Sequence, residues 1–261
     1  MSYRIGFIGV GNMGGALLKS IVRYNTEVLH NDPKDAQLFS VSAFDINSEL
    51  LQKLADETGI IKETSAASLV NNCDIIILAV KPQFCSNVLE QIKPVITDKK
   101  IIVSIIVGLP TRYFKDVLGS QARIVRTMPN TPALVGEGMT LVCWDDSINN
   151  DERKSINKLF SCSGKIEELD ESLMSEVTAL TGSSPAYVFM FIEAMADAAV
   201  KSGIQRKLAY RLAAQAVLGS AKMVLDTGKH PAELKDMVCS PAGTTIEAVA
   251  TLEQEGFRNA I

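Results

Sequence analysis

The residues best placed to do chemistry stand at the very start of the chain. Arg4-Ile5-Gly6-Phe7-Ile8-Gly9-Val10-Gly11-Asn12-Met13-Gly14 is an apolar, strand-like run that passes through the spacing G-x-G-x-x-G into an amphipathic segment. Each glycine has its own physical task in such a turn. Gly9 permits the tight reversal, Gly11 lets the backbone approach a pyrophosphate, and Gly14 lets the following helix pack closely on the strand. Val10, Asn12 and Met13 complete the turn, and the helix start offers free N–H groups and a partial positive charge to the phosphates. Glycine-rich turns that hold nothing share this spacing. The context of a strand before and a helix after favours a dinucleotide.

An acidic residue closing the second strand of such a unit binds the adenosine ribose hydroxyls and favours NAD over NADP. Asp45 ends the strand-like Phe39 to Phe44 and precedes the helix-like Ser48 to Glu57. It either binds the ribose or caps that helix. Asp32 is nearer the usual spacing of about twenty residues, but Asn31-Asp32-Pro33 reads as a turn. Asn25 to Leu38 reads as an inserted loop. Ala79-Val80-Lys81-Pro82 follows another strong strand and belongs at the carboxyl edge of the sheet, where open α/β sheets bind ligands. Lys81 faces a ligand there or is a solvated loop lysine. Arg126-Thr127-Met128-Pro129-Asn130-Thr131-Pro132 has two prolines that stiffen a loop. That loop holds Asn130 toward a nicotinamide amide or serves the structure alone.

A second candidate lies near the other end. In Cys239-Ser240-Pro241-Ala242-Gly243-Thr244-Thr245-Ile246-Glu247, Thr244 and Glu247 have capping-box spacing, so a helix should begin at Thr244. Its N–H groups and two hydroxyls suit a small carboxylate with a nitrogen beside it. Taken by itself, the segment is only a capped helix.

These residues need a scaffold. Arg4 to Ile8, Phe39 to Phe44, Ile75 to Val80, Ile101 to Ile105 and Arg123 to Thr127 are strand-like, with Met13 to Val22, Ser48 to Glu57 and Phe84 to Ile92 as helices between them. Met139 to Trp144 and Lys165 to Glu168 are further candidate strands. This rhythm implies a doubly wound α/β sheet of Rossmann type. From Glu171 onward only helical segments follow: Glu171 to Leu180, Pro185 to Ser202, Arg206 to Leu225, Pro231 to Val238 and Thr245 to the end. Pro185 after Ser184 marks a helix start, and Gly228 before His230-Pro231 marks a stop. The reading is a Rossmann domain over 1–168 and an all-α helical domain over 169–261. Tyr187 to Val200 is apolar on nearly every face, and so small a domain can hardly surround it. It packs on a second subunit or on the first domain.

The bulk composition narrows the class. The 261 residues are 47% hydrophobic and 21% charged with a net charge of -4, which suits a soluble globular protein without a basic nucleic-acid face. Cys73, Cys85, Cys143, Cys162 and Cys239 are dispersed, and with only two histidines they make no metal site. Such cysteines read as reduced thiols in the cytoplasm. The N-terminus lacks a signal-peptide layout, and Ala186 to Val200 is too short and too charged for a membrane span. His30 reads as a loop residue and His230 as a helix-start residue.

Leu180-Thr-Gly182-Ser-Ser-Pro185-Ala-Tyr187-Val-Phe, with Glu193 and Asp197 beyond, resembles the signature of pyrroline-5-carboxylate reductases, and so does Ser240-Pro-Ala-Gly243-Thr-Thr245-Ile. The glycine turn, Ala79-Val-Lys-Pro82, Met128-Pro-Asn-Thr-Pro132 and Gly256-Phe-Arg258 extend the likeness along nearly the whole chain. Ala242 departs from it, standing where the family has a second glycine. The loop near Asn31 and the end soon after Arg258 depart too, and the latter would be expected to weaken the subunit interface.

The resemblance implies reduction of Δ1-pyrroline-5-carboxylate to L-proline by reduced NADP or NAD, at a site between the nucleotide domain and an intertwined helical dimer. It gives the substrate carboxylate to the N–H groups of Gly243 and Thr244, and the ring nitrogen to Thr245. Ser240 shapes the loop, and Glu171 is a weaker substrate-side candidate. The expected partners are a small cyclic imino acid and a second copy of the chain, in a homodimer or larger homo-oligomer, with no nucleic acid or membrane. A β-hydroxyacid dehydrogenase has the same two-domain plan but relies on a lysine of the interdomain helix, and Pro185 to Val200 has none. A non-catalytic dinucleotide sensor explains the glycines but not Ser240 to Ile246.

Overall fold

A computed structural model describes residues 3–31 and 39–261 of the chain. Two compact units are present, Met1–Pro185 and Ala186–Ile261.

The first unit is built on a sheet that, among the described residues, has eight strands in the order β3-β2-β1-β4-β5-β6-β7-β8. They are β1 Arg4–Ile8, β2 Ser40–Phe44, β3 Ile61–Lys62, β4 Ile75–Leu78, β5 Ile101–Ser104, β6 Arg123–Met128, β7 Gly138–Trp144 and β8 Gly164–Glu168. The helices between them are α1 Asn12–Asn31, α2 Ser48–Thr58, α3 Ala66–Asn72, α4 Pro82–Ile92, α5 Thr111–Leu118 and α6 Asn150–Ser161. Strand neighbours are parallel except β6 and β7. The β6–β7 connection is a single short turn, Thr131–Val135. So short a link suits an antiparallel pair, because a parallel one needs about a dozen residues or more to cross over.

The central strands are apolar throughout because helices cover both faces of the sheet. Side chains alternate between faces. Ile75, Ile77, Ile101 and Val103 join Phe7, Leu17 and Phe160 in one core, while Ile76, Leu78 and Ile102 join Leu89 and Phe114 in the other. The chain winds outward from β1 through β2 to β3, then returns to lay β4 on the other side of β1. The crevice between the carboxyl ends of β1 and β4 is therefore a switch point, where such sheets bind ligands.

Helix α1 is longer than the sequence suggests. The loop expected from Asn25 is helical as far as Asn31, and the backbone of His30 belongs to it. The polar Asn25 does not break the helix, because its Nδ2 donates to the Phe39 carbonyl at 2.7 Å and its Oδ1 accepts from the Phe39 N–H at 3.1 Å. Asp32 and the rest of the expected insertion, to Leu38, lie outside the described residues.

The second unit holds the remaining helices: most of α7 (Ser184–Lys201), then α8 Arg206–Thr227, α9 Pro231–Val238, α10 Thr244–Gln254 and α11 Phe257–Ala260. Gly228, at φ 63°, ends α8, and His230 caps α9 by accepting the Ala232 N–H on Nδ1 at 3.1 Å. Helix α7 begins at Ser184, one residue before the expected Pro185. The chain enters it through a π-turn, Thr178–Ser183, and the Ser184 hydroxyl donates backward to the Leu180 carbonyl at 2.5 Å instead of capping. Of the apolar face of α7 only Ala196 is buried, whereas Phe189 and Met190 are 60% and 68% exposed. Among the described residues, no helix is long and apolar enough to cross a membrane.

Candidate active site

In the turn between β1 and α1, the glycines differ in what the protein itself demands of them. Gly9 has φ 96°, and a Cβ there would lie 2.7 Å from the Ala79 carbonyl oxygen. A Cβ on Gly14 would lie 2.4 Å from the Gly9 carbonyl oxygen and 2.9 Å from the Ala79 Cβ. Both positions are closed by β4 and the turn. A Cβ on Gly11 would meet nothing within 4 Å. The fold alone gives no steric reason for glycine at 11, and the space beside it is open to a group that approaches the backbone closely. A pyrophosphate at the start of α1 fits. Two backbone bonds set the turn: the Gly9 N–H donates to the Phe44 carbonyl and the Ala79 N–H to the Ile8 carbonyl, both at 2.9 Å.

Asp45 sits beside this turn, at the end of β2. Its Oδ2 accepts the Val10 N–H at 2.7 Å and its Oδ1 accepts the Asn47 N–H at 2.8 Å. It does not cap α2; Asn47 does, accepting the Leu50 N–H. Val10, Gly11, Asn12, Lys19, Lys53 and Glu57 are among the residues lining a hollow of about 280 Å³ beside Gly11. Met13 packs partly buried against the core behind it. Across the switch point, Val80 is half-buried, and Lys81 and Pro82 are exposed at the start of α4, where Lys81 holds the N-cap without a side-chain bond.

Asn130 and Glu171 are held more firmly than the sequence suggests. Asn130 Oδ1 accepts the Met139 N–H at 2.8 Å and its Nδ2 donates to the Thr181 carbonyl at 2.9 Å, so the amide staples the β6 loop to β7 and to the π-turn. Glu171 Oε1 accepts the Thr111 N–H at 2.6 Å, the Thr111 hydroxyl at 2.8 Å and Arg126 at 3.2 Å. The start of α5 has no other side-chain cap, because Pro110 holds that position. Burial on its own raises the Glu171 pKa, but the Thr111 bonds and Arg126 outweigh it and leave the group below its ordinary value. Sequence reading alone misses this clamp, whose partners are 60 and 45 residues away.

In the second unit, the Ser240–Thr245 turn differs from the expected capping box. Gly243 is the N-cap of α10, Thr244 is the first helical residue, and no side chain caps the helix. The register shifts because Ala242 adopts φ 53°, the only non-glycine among the described residues at positive φ. That is the position where the resembled family has glycine. A Cβ on Gly243 would lie 2.3 Å from the Ser240 Oγ and 3.2 Å from the Ser240 carbonyl oxygen, so a side chain there would have to turn the serine hydroxyl aside. Its N–H donates to the Ser240 carbonyl at 3.1 Å, so it is not free for a carboxylate as expected. The N–H groups of Thr244 and Thr245 lie in the first helical turn, where there is no intrahelical partner. Neither threonine hydroxyl bonds to a described residue. Ser240 and Thr244 are exposed and Thr245 is half-buried.

None of the described residues cluster as a metal site. Burial raises the thiol pKa of Cys73, Cys85 and Cys162 to about 11, which keeps them protonated.

Residues 171–261 match the family model for pyrroline-5-carboxylate reductase dimerisation, and residues 4–108 match that for coenzyme F420-dependent NADP oxidoreductases. The chain is 45% identical to the pyrroline-5-carboxylate reductase of Escherichia coli over 100% of its own length and 94% of that protein's. It is 44% identical to the enzyme of the same name from Methanosarcina acetivorans, over 98% of this chain and 92% of that one. Among solved structures, the Plasmodium falciparum pyrroline carboxylate reductase with NADP bound is similar, with a TM-score of 0.85 and 34% identity, covering 99% of this chain and 92% of that one.

Proposed function

The chain belongs to the pyrroline-5-carboxylate reductase family, and from that footing we propose that it reduces Δ1-pyrroline-5-carboxylate to L-proline with NADH or NADPH. The observation that carries this reading is the pairing of a glycine turn open at Gly11 with a second, uncapped helix start that offers two N–H groups and two idle hydroxyls.

In this reading the dinucleotide pyrophosphate rests on Gly9, Val10, Gly11, Asn12, Met13 and Gly14, with Asp45 at the adenosine ribose. Ala79, Val80, Lys81 and Pro82 form the opposite lip of the crevice. The reduced nicotinamide, when bound, supplies a hydride. Asn130 keeps the loop toward it in shape. The N–H groups of Thr244 and Thr245 hold the substrate carboxylate, one residue later than the family pattern implies. The Thr245 hydroxyl accepts from the protonated ring nitrogen. Ser240 and Gly243 keep the turn tight, and Glu171 positions α5. As hydride adds to the imine carbon, the C=N π pair passes to nitrogen, giving a neutral amine. A protonated imine is already electrophilic, so no strong general acid is needed. Orientation of the two carbons supplies most of the rate.

The exposed apolar face of α7 and the match to a dimerisation family support a homodimer or larger homo-oligomer. Light scattering that returned a stable monomer would contradict this. The dispersed thiols support a cytoplasmic location, which fractionation of cells would check.

Turnover of purified protein with Δ1-pyrroline-5-carboxylate, with six-membered cyclic imines and with β-hydroxyacids tests the assignment. The five-membered imine should be the best substrate. Faster oxidation of a β-hydroxyacid would favour the rival dehydrogenase. Tight cofactor binding without any turnover would favour a sensor.

A further inference from the structure

We propose that Asp45 makes this protein prefer NADH over NADPH. The inference rests on the dinucleotide reading above and adds which of the two cofactors the site selects.

The Asp45 carboxylate is fixed. One oxygen accepts the Val10 N–H at 2.7 Å and the other the Asn47 N–H at 2.8 Å, so it cannot swing away without breaking backbone bonds. Val10 belongs to the turn that receives the pyrophosphate, which places the carboxylate where the adenosine ribose follows. Each oxygen retains a lone pair, and together they can accept the 2′- and 3′-hydroxyls of NADH. NADPH instead brings a phosphate of about −1.5 to −2 charge to the same place. It would meet a fixed negative charge and offer no proton to it.

The neighbourhood provides little compensation. Asp45-Ile46-Asn47-Ser48-Glu49-Leu50-Leu51-Gln52 contains no lysine or arginine, and Glu49 adds a second negative charge in the first turn of α2. Among the described residues Asp45 forms no ion pair, and Lys19 is taken up by Glu57, with Nζ 2.7 Å from either oxygen. Among the described residues, Lys53 is the remaining cation lining the hollow beside Gly11. If Lys53 governed the choice, NADPH would bind at least as tightly as NADH.

The experiment is direct titration of the purified protein with NADH and with NADPH, read by nicotinamide fluorescence and needing no imine. NADH should bind with a Kd lower by about tenfold or more, which is about 1.4 kcal/mol. Asp45→Ser removes the charge and should bring the two affinities within about threefold of each other or reverse them. Asp45→Asn keeps the shape and one accepting oxygen, and guards against a disturbed turn in the serine variant; it should narrow the gap too. Equal or tighter binding of NADPH by the unaltered protein would overturn the proposal, as would an unchanged preference in both variants. Binding of neither cofactor would overturn it together with the dinucleotide site. A clear NADH preference without pyrroline-5-carboxylate turnover would uphold it and remove only the proposed reaction.

Discussion

Alanine at Gly14 and alanine at Gly11 should fail in opposite ways. At Gly14 the new methyl would sit 2.4 Å from the Gly9 carbonyl oxygen and 2.9 Å from the Ala79 Cβ. Neither is the end of a flexible side chain. The start of α1 must move off β1 and β4, and overpacking of this kind costs about 1–3 kcal/mol. Replacing a helical glycine returns about 1 kcal/mol of propensity, so a net loss of up to about 2 kcal/mol is expected. At Gly11 the methyl meets nothing within 4 Å, and the residue is not at positive φ. Gly11→Ala should therefore hold stability or raise it by about 0.4–1 kcal/mol through the unfolded chain. Its methyl occupies the approach of the pyrophosphate, and dinucleotide affinity should fall by about tenfold or more. Urea unfolding measures the first quantity and cofactor fluorescence titration the second. A Gly11→Ala protein that binds as tightly as the parent would refute the pyrophosphate cradle. A Gly14→Ala protein more stable than the parent would refute the steric reason given for that glycine.

The helical unit and the α5 clamp yield further tests. Because Thr244 is not the cap, Thr244→Ala and Thr245→Ala should both leave the melting temperature nearly unchanged, while Thr245→Ala lowers kcat/KM about tenfold or more and Thr245→Ser recovers much of it; full activity in Thr245→Ala would remove the hydroxyl from the mechanism. Ala242→Gly relieves a left-handed residue worth about 1–2 kcal/mol and gives back about 0.4–1 kcal/mol of unfolded-state entropy. A net gain of up to about 1.6 kcal/mol in unfolding experiments is the expected outcome, and a loss would count against strain at that position. Glu171 has a pKa below its ordinary 4.5, so its contribution is complete above that value and fades as pH falls through the lowered one. Partial solvent exposure limits the effect to about 1 kcal/mol. Glu171→Gln should flatten the acid limb of stability against pH, and an unaltered limb would show that the clamp contributes nothing.

How far the sequence revealed all this depended on burial and on range. Strands such as Ile75–Leu78 and Ile101–Ser104 were legible because both faces are covered and every position is apolar. Ile61–Lys62 is short and exposed and left no pattern to read. The second half of α1 resembled a loop because Asn25 is polar, and only its distant partner Phe39 explains why the helix continues. The glycine spacing revealed the first candidate site at once, whereas the bond from the Val10 N–H to Asp45 spans 35 residues and needs the folded sheet. Thr244 and Glu247 have the spacing of a capping box, yet the positive φ of Ala242 moves the helix start back to Gly243. Local composition cannot report a backbone angle that an alanine rarely adopts.

The most direct test of the proposed reaction is transfer of a label. Reduced cofactor carrying deuterium at the reactive C4 position is mixed with the protein and Δ1-pyrroline-5-carboxylate in ordinary water, and the proline formed is analysed by mass spectrometry. One deuterium should appear, on the ring carbon that was double-bonded to nitrogen. Proline without deuterium, or no proline while the cofactor remains bound, would contradict hydride delivery at this site.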